Sequence, residues 1–187
     1  VEEIMRLSIR VEVGGEVLDV QPEHNAHRQR LVQELNAQGF RVVAVAYKVM
    51  PGDDDEPHYE MRDEADMTLL GFLAFLDPPK ETASEALKRL HALNVDVKIL
   101  TGDNEIITTY ICTKVGMPVD KILLGSQIET MSEAELAEAA NGTSIFAKLA
   151  PAQKEHIIRA LQSKGRVVGF MGDGINDAPA LKAADVG

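Results

Sequence analysis

The sequence predicts an α/β protein built on a parallel sheet, preceded by a smaller α+β region. From Val97 onward, short apolar runs alternate with helical patterns, as happens when crossover helices join parallel strands. The run at residues 167–171 then ends on Gly172-Asp173-Gly174. This places a carboxylate at the carboxyl end of a strand, where open α/β sheets bind their ligands. Before residue 77 the pattern is different: a hairpin, one helix and two longer strands.

In order, residues 1–7 read as the end of a helix with Ile4 and Leu7 as its apolar points. Ile9, Val11 and Val13 alternate with polar residues, Gly14-Gly15 supplies a turn, and Val17, Leu18 and Val20 resume the apolar pattern, which predicts a hairpin. Leu31, Val32 and Leu35 mark one face of a helix over residues 22–38, and Gly39 stops it. His24 and His27 are spaced to share a metal but have no third ligand nearby, so a solvated helix start is the simpler reading. Arg41 opens a strand over residues 42–47. Residues 51–57 hold a carboxylate run without the spaced ligands and central glycine of a calcium loop, so they read as a solvated loop.

Residues 69–76 form an apolar strand that stops at Asp77-Pro78-Pro79-Lys80. Two prolines fix their own φ angles and bias the preceding residue away from helix, so this segment is a stiff connector and a domain boundary. Pro79 also suits the first turn of a helix whose inward residues are Ala83, Ala86, Leu87, Leu90 and Leu93. Strands are predicted at residues 97–100, 121–124, 145–149 and 166–171. Between them lie helices over 104–115, from Ser132 to Ala140 with a Ser132/Glu135 capping box, and over 151–163. Ala178-Pro179 opens the last helix, with its positive end toward Asn176 and Asp177.

The chain has 187 residues, 45% hydrophobic and 26% charged, enough for one full domain or two small ones. It holds no apolar run of membrane-spanning length and no signal-peptide pattern, so this stretch is expected to be soluble and cytosolic. A net charge of −11 argues against nucleic acid and anionic membrane surfaces as partners, since both need a basic footprint. ATP stays compatible, because helix dipoles, magnesium and a few cations suffice to hold it. Cys112 falls among Ile111 and Val115 in a helical pattern and reads as a buried, reduced thiol.

Several positions carry candidate chemistry on their local pattern alone. Thr101-Gly102-Asp103 ends a strand and opens a helix, where backbone N–H groups welcome an anion; equally, Thr101 or Asp103 could cap that helix. Lys154 sits in the first turn of its helix, where a cation opposes the helix dipole, although on local pattern alone a helix lysine is ordinarily a solvated surface residue. Asp173 suits magnesium, which prefers a carboxylate or two with waters and phosphate. Asp177 reads as a second ligand or as the cap of the last helix, and Asn176 as a neutral donor.

Residues 172–187, Gly-Asp-Gly-Ile-Asn-Asp-Ala-Pro-Ala-Leu-Lys-Ala-Ala-Asp-Val-Gly, resemble the hinge motif of P-type cation-transporting ATPases. Asp77-Pro78-Pro79-Lys80, Thr101-Gly102-Asp103-Asn104 and Pro151-Ala152-Gln153-Lys154 match further motifs of that family, in its order. The resemblance is strong from about residue 40 to the end, and closest to the bacterial magnesium-transporting branch, with the calcium and sodium–potassium branches next. It implies a haloacid-dehalogenase-like phosphorylation domain over residues 81–187, a hinge at 77–80, and the end of a nucleotide-binding domain over 1–76. It also implies Mg2+ and ATP as cofactors. Thr101 would donate to the transferred phosphoryl group and Lys154 would neutralise charge on an aspartyl-phosphate. Arg41, in Gly-Phe-Arg, would reach ATP phosphates, with Asp77 and Lys80 at the hinge over which ATP is delivered.

No segment resembles the family's Asp-Lys-Thr-Gly-Thr, whose aspartate accepts the phosphoryl group. The resemblance therefore implies a piece of a pump, inactive alone, whose partners are ATP and the remaining pump: nucleophile segment, actuator domain and transmembrane helices. The parent would be an integral plasma-membrane protein with this part in the cytoplasm. Because that nucleophile strand is central in the fold, between the strands ending at Thr101 and Asp173, a gap is expected there, filled by another segment, by a neighbouring chain or by closure of those strands. A soluble phosphatase of the same fold would need its own Asp-x-Asp after an apolar strand, and Asp53 and Asp55 lie instead in a polar loop; a non-catalytic binding module is the other rival.

Overall fold

The computed structural model describes residues 1–50, 60–172 and 177–187. The chain divides into two compact units, Val1–Asp77 and Pro78–Gly187. Expectations that rest on the loop at 51–57 or on Asp173 and Asn176 lie outside the described residues.

The first unit is a four-stranded mixed sheet with two helices. Helix α1 (Glu2–Leu7) leads into β1 (Ser8–Val13), which pairs antiparallel with β2 (Glu16–Asp19). Gly14 and Gly15 turn that hairpin with φ of 63° and 86°, angles that suit glycine. Helix α2 (Pro22–Ala37) starts with the Gln21 backbone N–H donating to His24 Nδ1, so this histidine belongs to the helix start. Strands β3 (Phe40–Tyr47) and β4 (Met67–Leu76) pair antiparallel, and β1 lies parallel on the other side of β4, giving the order β2-β1-β4-β3. Leu69 is buried at the centre, and the Tyr47 hydroxyl donates to Glu12 from a distant part of the sequence.

The second unit is built on three short parallel strands. Strands β5 (Ile99–Leu100), β6 (Ile122–Leu124) and β7 (Ile145–Ala147) take the order β5-β7-β6, so the last strand in sequence is central. Ile145, Phe146 and Ala147 are fully buried for that reason. Around them pack α3 (Ala83–Ala92), α4 (Glu105–Lys114), the short α5 (Gly125–Ile128), α6 (Glu133–Asn141), α7 (Pro151–Ser163) and α8 (Ala178–Ala183). Phe146 joins Leu123, Leu136, Ile157 and Leu161 in the main core, and each such fully buried side chain contributes about 1.5–3 kcal/mol. Cys112, Met117 and Ile145 form a second cluster, in which burial raises the Cys112 thiol pKa. The Ser132/Glu135 capping box forms as its spacing predicts.

Two expectations need correction, and one element lies outside them. Residues 166–171 do not form a strand; Gly169 makes only a single parallel bridge to Val186, and among the described residues β5 pairs only with β7. Among the described residues the backbone of this run, from Val167 on, bonds only to residues 185–186, on one side, which is too little pairing for a strand, and Val167 is 84% and Met171 96% exposed. The stripe predicted for α3 is not buried: Leu87 packs on the second cluster, but no residue of α3 is fully buried and Leu93, beyond its last turn, is 73% exposed. Finally, α5 has no periodic apolar signal and is missed by sequence reading.

Candidate functional site

At the end of β5 the chain makes a tight turn. The Asp103 backbone N–H donates to Thr101 Oγ1 at 3.1 Å, and that hydroxyl lies 3.2 Å from Asp103 Oδ2. Neither residue caps α4. Asn104 does, its Oδ1 accepting from the backbone N–H groups of Ile106 and Ile107 at 3.0 Å each, so the cap falls one position later than expected. The side-chain cap of α4 is thus made by Asn104 and not by Thr101 or Asp103.

This turn is zipped to the end of β7. The backbone N–H of Lys148 donates to the Asp103 carbonyl and that of Leu149 to the Thr101 carbonyl. Lys148 adopts a left-handed φ of 52°, which turns the chain out of the strand and toward α7. Its ammonium pairs with Glu105 at 3.3 Å. A Cβ on Gly102 would stand only 3.5 Å from the Leu149 carbonyl, so the two loops lie in close contact.

Two residues later α7 begins with Pro151, and its first turn carries Lys154. The Lys154 ammonium donates to Asp177 Oδ1 at 2.6 Å, with side-chain exposures of only 16% and 12%. That pairing offsets the unfavourable position of a cation near a helix N-terminus. Asp177 precedes α8 but makes no capping bond with its side chain. Of the two roles open to it on sequence, the cap is therefore not taken, and its carboxylate faces the lysine.

Gly172 lies against Asp177. A Cβ there would come 2.7 Å from Asp177 Oδ2 and 2.9 Å from Phe170 Cε1, so the absence of a side chain keeps space beside Oδ2. The segment before it is tied to the C-terminal end: the Phe170 N–H donates to Val186, and the Val168 N–H donates to the Asp185 carboxylate at 2.8 Å. Those donors, the Val168 N–H first and then Gln162, hold the Asp185 carboxyl below the usual aspartate range.

The structure thus brings together Thr101, Gly102 and Asp103 in one turn, and Lys154 with Asp177 in one pair. Arg41 is exposed on β3 opposite Phe75 of β4, and Asp77 is exposed at the end of the first unit. Lys80 is exposed before α3, its carbonyl accepting from Ala83. Among the described residues no cluster of histidine, cysteine and acids has the make-up of a complete metal site, and no helix is long and apolar enough to cross a membrane. Sequence reading passes over Gly125 and Gln153; the only signal for the glutamine is its place in Pro-Ala-Gln-Lys.

The profile of the haloacid dehalogenase-like hydrolases matches residues 10–185. Among characterised proteins, the "Magnesium-transporting ATPase, P-type 1" of Escherichia coli K12 is 47% identical over 186 residues, covering 100% of this chain and 20% of the relative. A protein of that name in Salmonella typhimurium LT2 is 44% identical over 187 residues, covering 21% of its length. The calcium-transporting ATPase lmo0841 of Listeria monocytogenes is 34% identical over 177 residues, covering 94% of this chain and 20% of the relative. The chain belongs to the haloacid dehalogenase-like hydrolase family and is homologous, over its whole length, to the bacterial magnesium-transporting P-type ATPases, of whose length it spans 20%.

Proposed function

We propose that this chain supplies one half of the phosphoryl-transfer site of a P-type cation-transporting ATPase, with Mg2+ as the transported ion. The reading rests chiefly on the Lys154–Asp177 pair, which lies in α7 and at the start of α8, beside the glycine that opens the Gly-Asp-Gly motif. Identity of 47% to magnesium transporters against 34% to a calcium transporter favours the magnesium branch. In this reading the first unit is the end of a nucleotide-binding domain, residues 77–80 are the hinge, and the second unit is a phosphorylation domain. The parent is a membrane pump with this part in the cytoplasm.

Each residue then has a task that its chemistry suits. Phosphoryl transfer requires positioning and charge neutralisation more than covalent help from the protein. The Thr101 hydroxyl and the backbone of Gly102 and Asp103 hold the phosphoryl oxygens, and the Lys154 ammonium neutralises their charge. Asn176 adds a neutral donor. Asp177 holds Oδ2 against Gly172, where no side chain intervenes, a cradle that fits one carboxylate contact to magnesium, and Asp173 completes the acid pair. Bound magnesium would offset phosphate charge and align it. Arg41 contacts ATP phosphates through its forked donors, and Asp77 with Lys80 delivers the nucleotide across the hinge.

The phosphorylated aspartate is provided by a strand outside this chain, inserted between β5 and residues 167–171. Among the described residues β5 pairs on one side only, and that edge and the exposure of Val167 and Met171 support that placement. The test is incubation of the chain with magnesium and labelled ATP. No covalent label is expected; an acid-resistant, hydroxylamine-sensitive phosphoprotein would overturn the reading.

A further inference from the structure

Gln153 lies next to Lys154 but points the other way, into the protein, and is 7% exposed. Both ends of its amide are engaged. Oε1 accepts from the Ala150 backbone N–H at 2.8 Å, closing the first turn of α7, and Nε2 donates to the Gly125 carbonyl at 2.9 Å, on a different element. A carboxamide carries its acceptor and its donors on separate atoms, so one side chain can make both bonds. Leucine or methionine at this site would take the acceptor from the Ala150 N–H, and glutamate would lose the bond to the Gly125 carbonyl, which then keeps only the Glu129 N–H.

Gly125 is shaped for this contact from the other side. A Cβ on it would press into the Lys148 carbonyl and come 2.7 Å from Gln153 Oε1. Lys148 is the left-handed residue whose N–H holds the Asp103 carbonyl. Gly125, Lys148 and Gln153 thus form one packed junction. On one side it leads through Lys148 to the Thr101–Asp103 turn, and on the other through the first turn of α7 to Lys154 and its partner Asp177.

We propose that Gln153 is a positioning residue: with Gly125 it locks the start of α7 to the end of β7, and so sets Lys154 against Asp177 in register with the Thr101–Asp103 turn. The inference rests on the proposed role of Lys154 and Asp177 in phosphate and magnesium binding for its functional meaning, but its geometry can be tested without either ligand. Gln153 touches no reacting atom; it acts through its neighbour.

The experiment uses the 187-residue chain. Solvent exchange of the Lys154 ammonium protons and the backbone amide shifts of Asp103 and Lys148 are followed by NMR, without metal, in wild type, Gln153→Met and Gln153→Glu. Gln153→Met removes both bonds and Gln153→Glu only the donor to Gly125. Lys154 exchange is expected to speed up by about fivefold in Gln153→Met, the factor that one ordinary hydrogen bond represents, and by less in Gln153→Glu. The Asp103 and Lys148 amides should shift in both. Gly125→Ala, which disturbs the junction from the opposite side, should move the same signals.

A core truncation, Leu136→Val, controls for lost stability alone and should leave those signals in place. If Gln153→Met lowers the melting temperature but leaves Lys154, Asp103 and Lys148 as in wild type, Gln153 is only a helix cap and the inference fails. If Gln153→Met does not fold, Gln153→Glu and Gly125→Ala decide by the same signals. Titration of the wild-type chain with MgCl2 and inorganic phosphate tests the underlying reading separately. Absence of any shift at Asp177 and Lys154 there would sink that reading while the metal-free comparison still judges the role of Gln153.

Discussion

Lys154 of α7 and Asp177 at the start of α8 are joined by a 2.6 Å ion pair that is largely withdrawn from solvent. Twenty-three residues of sequence separate them, and the pair ties the helix after β7 to the segment that follows the Gly-Asp-Gly motif. Lys154→Met should cost roughly 1.5–3 kcal/mol, the value of a charge-assisted hydrogen bond whose carboxylate is left partly buried. The combined Lys154→Met/Asp177→Asn variant should lose less than the sum of the two single changes. Urea denaturation of the four proteins checks this, and strict additivity would mean the pair contributes no coupling.

Gly172→Ala puts a methyl group 2.7 Å from Asp177 Oδ2 and 2.9 Å from Phe170. One of them must move, at a cost of about 1–3 kcal/mol by analogy with overpacked cores. The expected signature is a shift of the Asp177 carboxyl resonance together with loss of any magnesium response at that residue. An alanine variant whose response to MgCl2 equals that of wild type would show that Oδ2 does not face the ion.

Asn104→Ala removes the acceptor for two N–H groups at the start of α4. Loss of such a cap costs about 1 kcal/mol. Because the bonds between Thr101 and Asp103 do not involve the Asn104 side chain, their turn should persist. Hydrogen exchange should therefore quicken at Ile106 and Ile107 while the Asp103 amide keeps its protection.

Asp185 predicts a pH dependence. Its carboxyl is held below the usual range in the folded chain, first by the Val168 N–H and then by Gln162. A folded-state pKa lowered in this way stabilises the protein above the ordinary aspartate value and is lost as pH falls through the folded value. Wild type should be more stable than Asp185→Asn near neutrality, and the difference should shrink as pH drops below the ordinary aspartate range. A difference in melting temperature that does not change with pH would contradict this.

The elements with strong local signals were legible from sequence. The glycine hairpin, the Ser132/Glu135 box and the Pro151 helix start lie where pattern and capping chemistry put them. Residues 166–171 were misjudged because an apolar run says what a strand prefers, not whether a neighbour exists to pair with it. Leu93 continues the helical spacing of α3 but falls at its C-cap, and spacing does not say where the helix stops or what covers its end. At the site, Thr101, Lys154 and Asp177 were singled out from residue type and position, but the choice of Asn104 as cap depends on backbone geometry that spacing alone does not distinguish. The link from Gln153 to Gly125 joins residues 28 apart, and no local pattern announces it.

The central claim is tested most directly by a chimera in which this chain replaces the matching segment of the Escherichia coli relative, which on the proposed reading supplies the nucleophilic aspartate and membrane helices. With magnesium and labelled ATP the chimera should form a hydroxylamine-sensitive acyl-phosphate, and the Asp177→Asn chimera should form far less. A folded chimera that takes up no phosphate, or an Asp177→Asn chimera as active as its parent, would contradict the assignment.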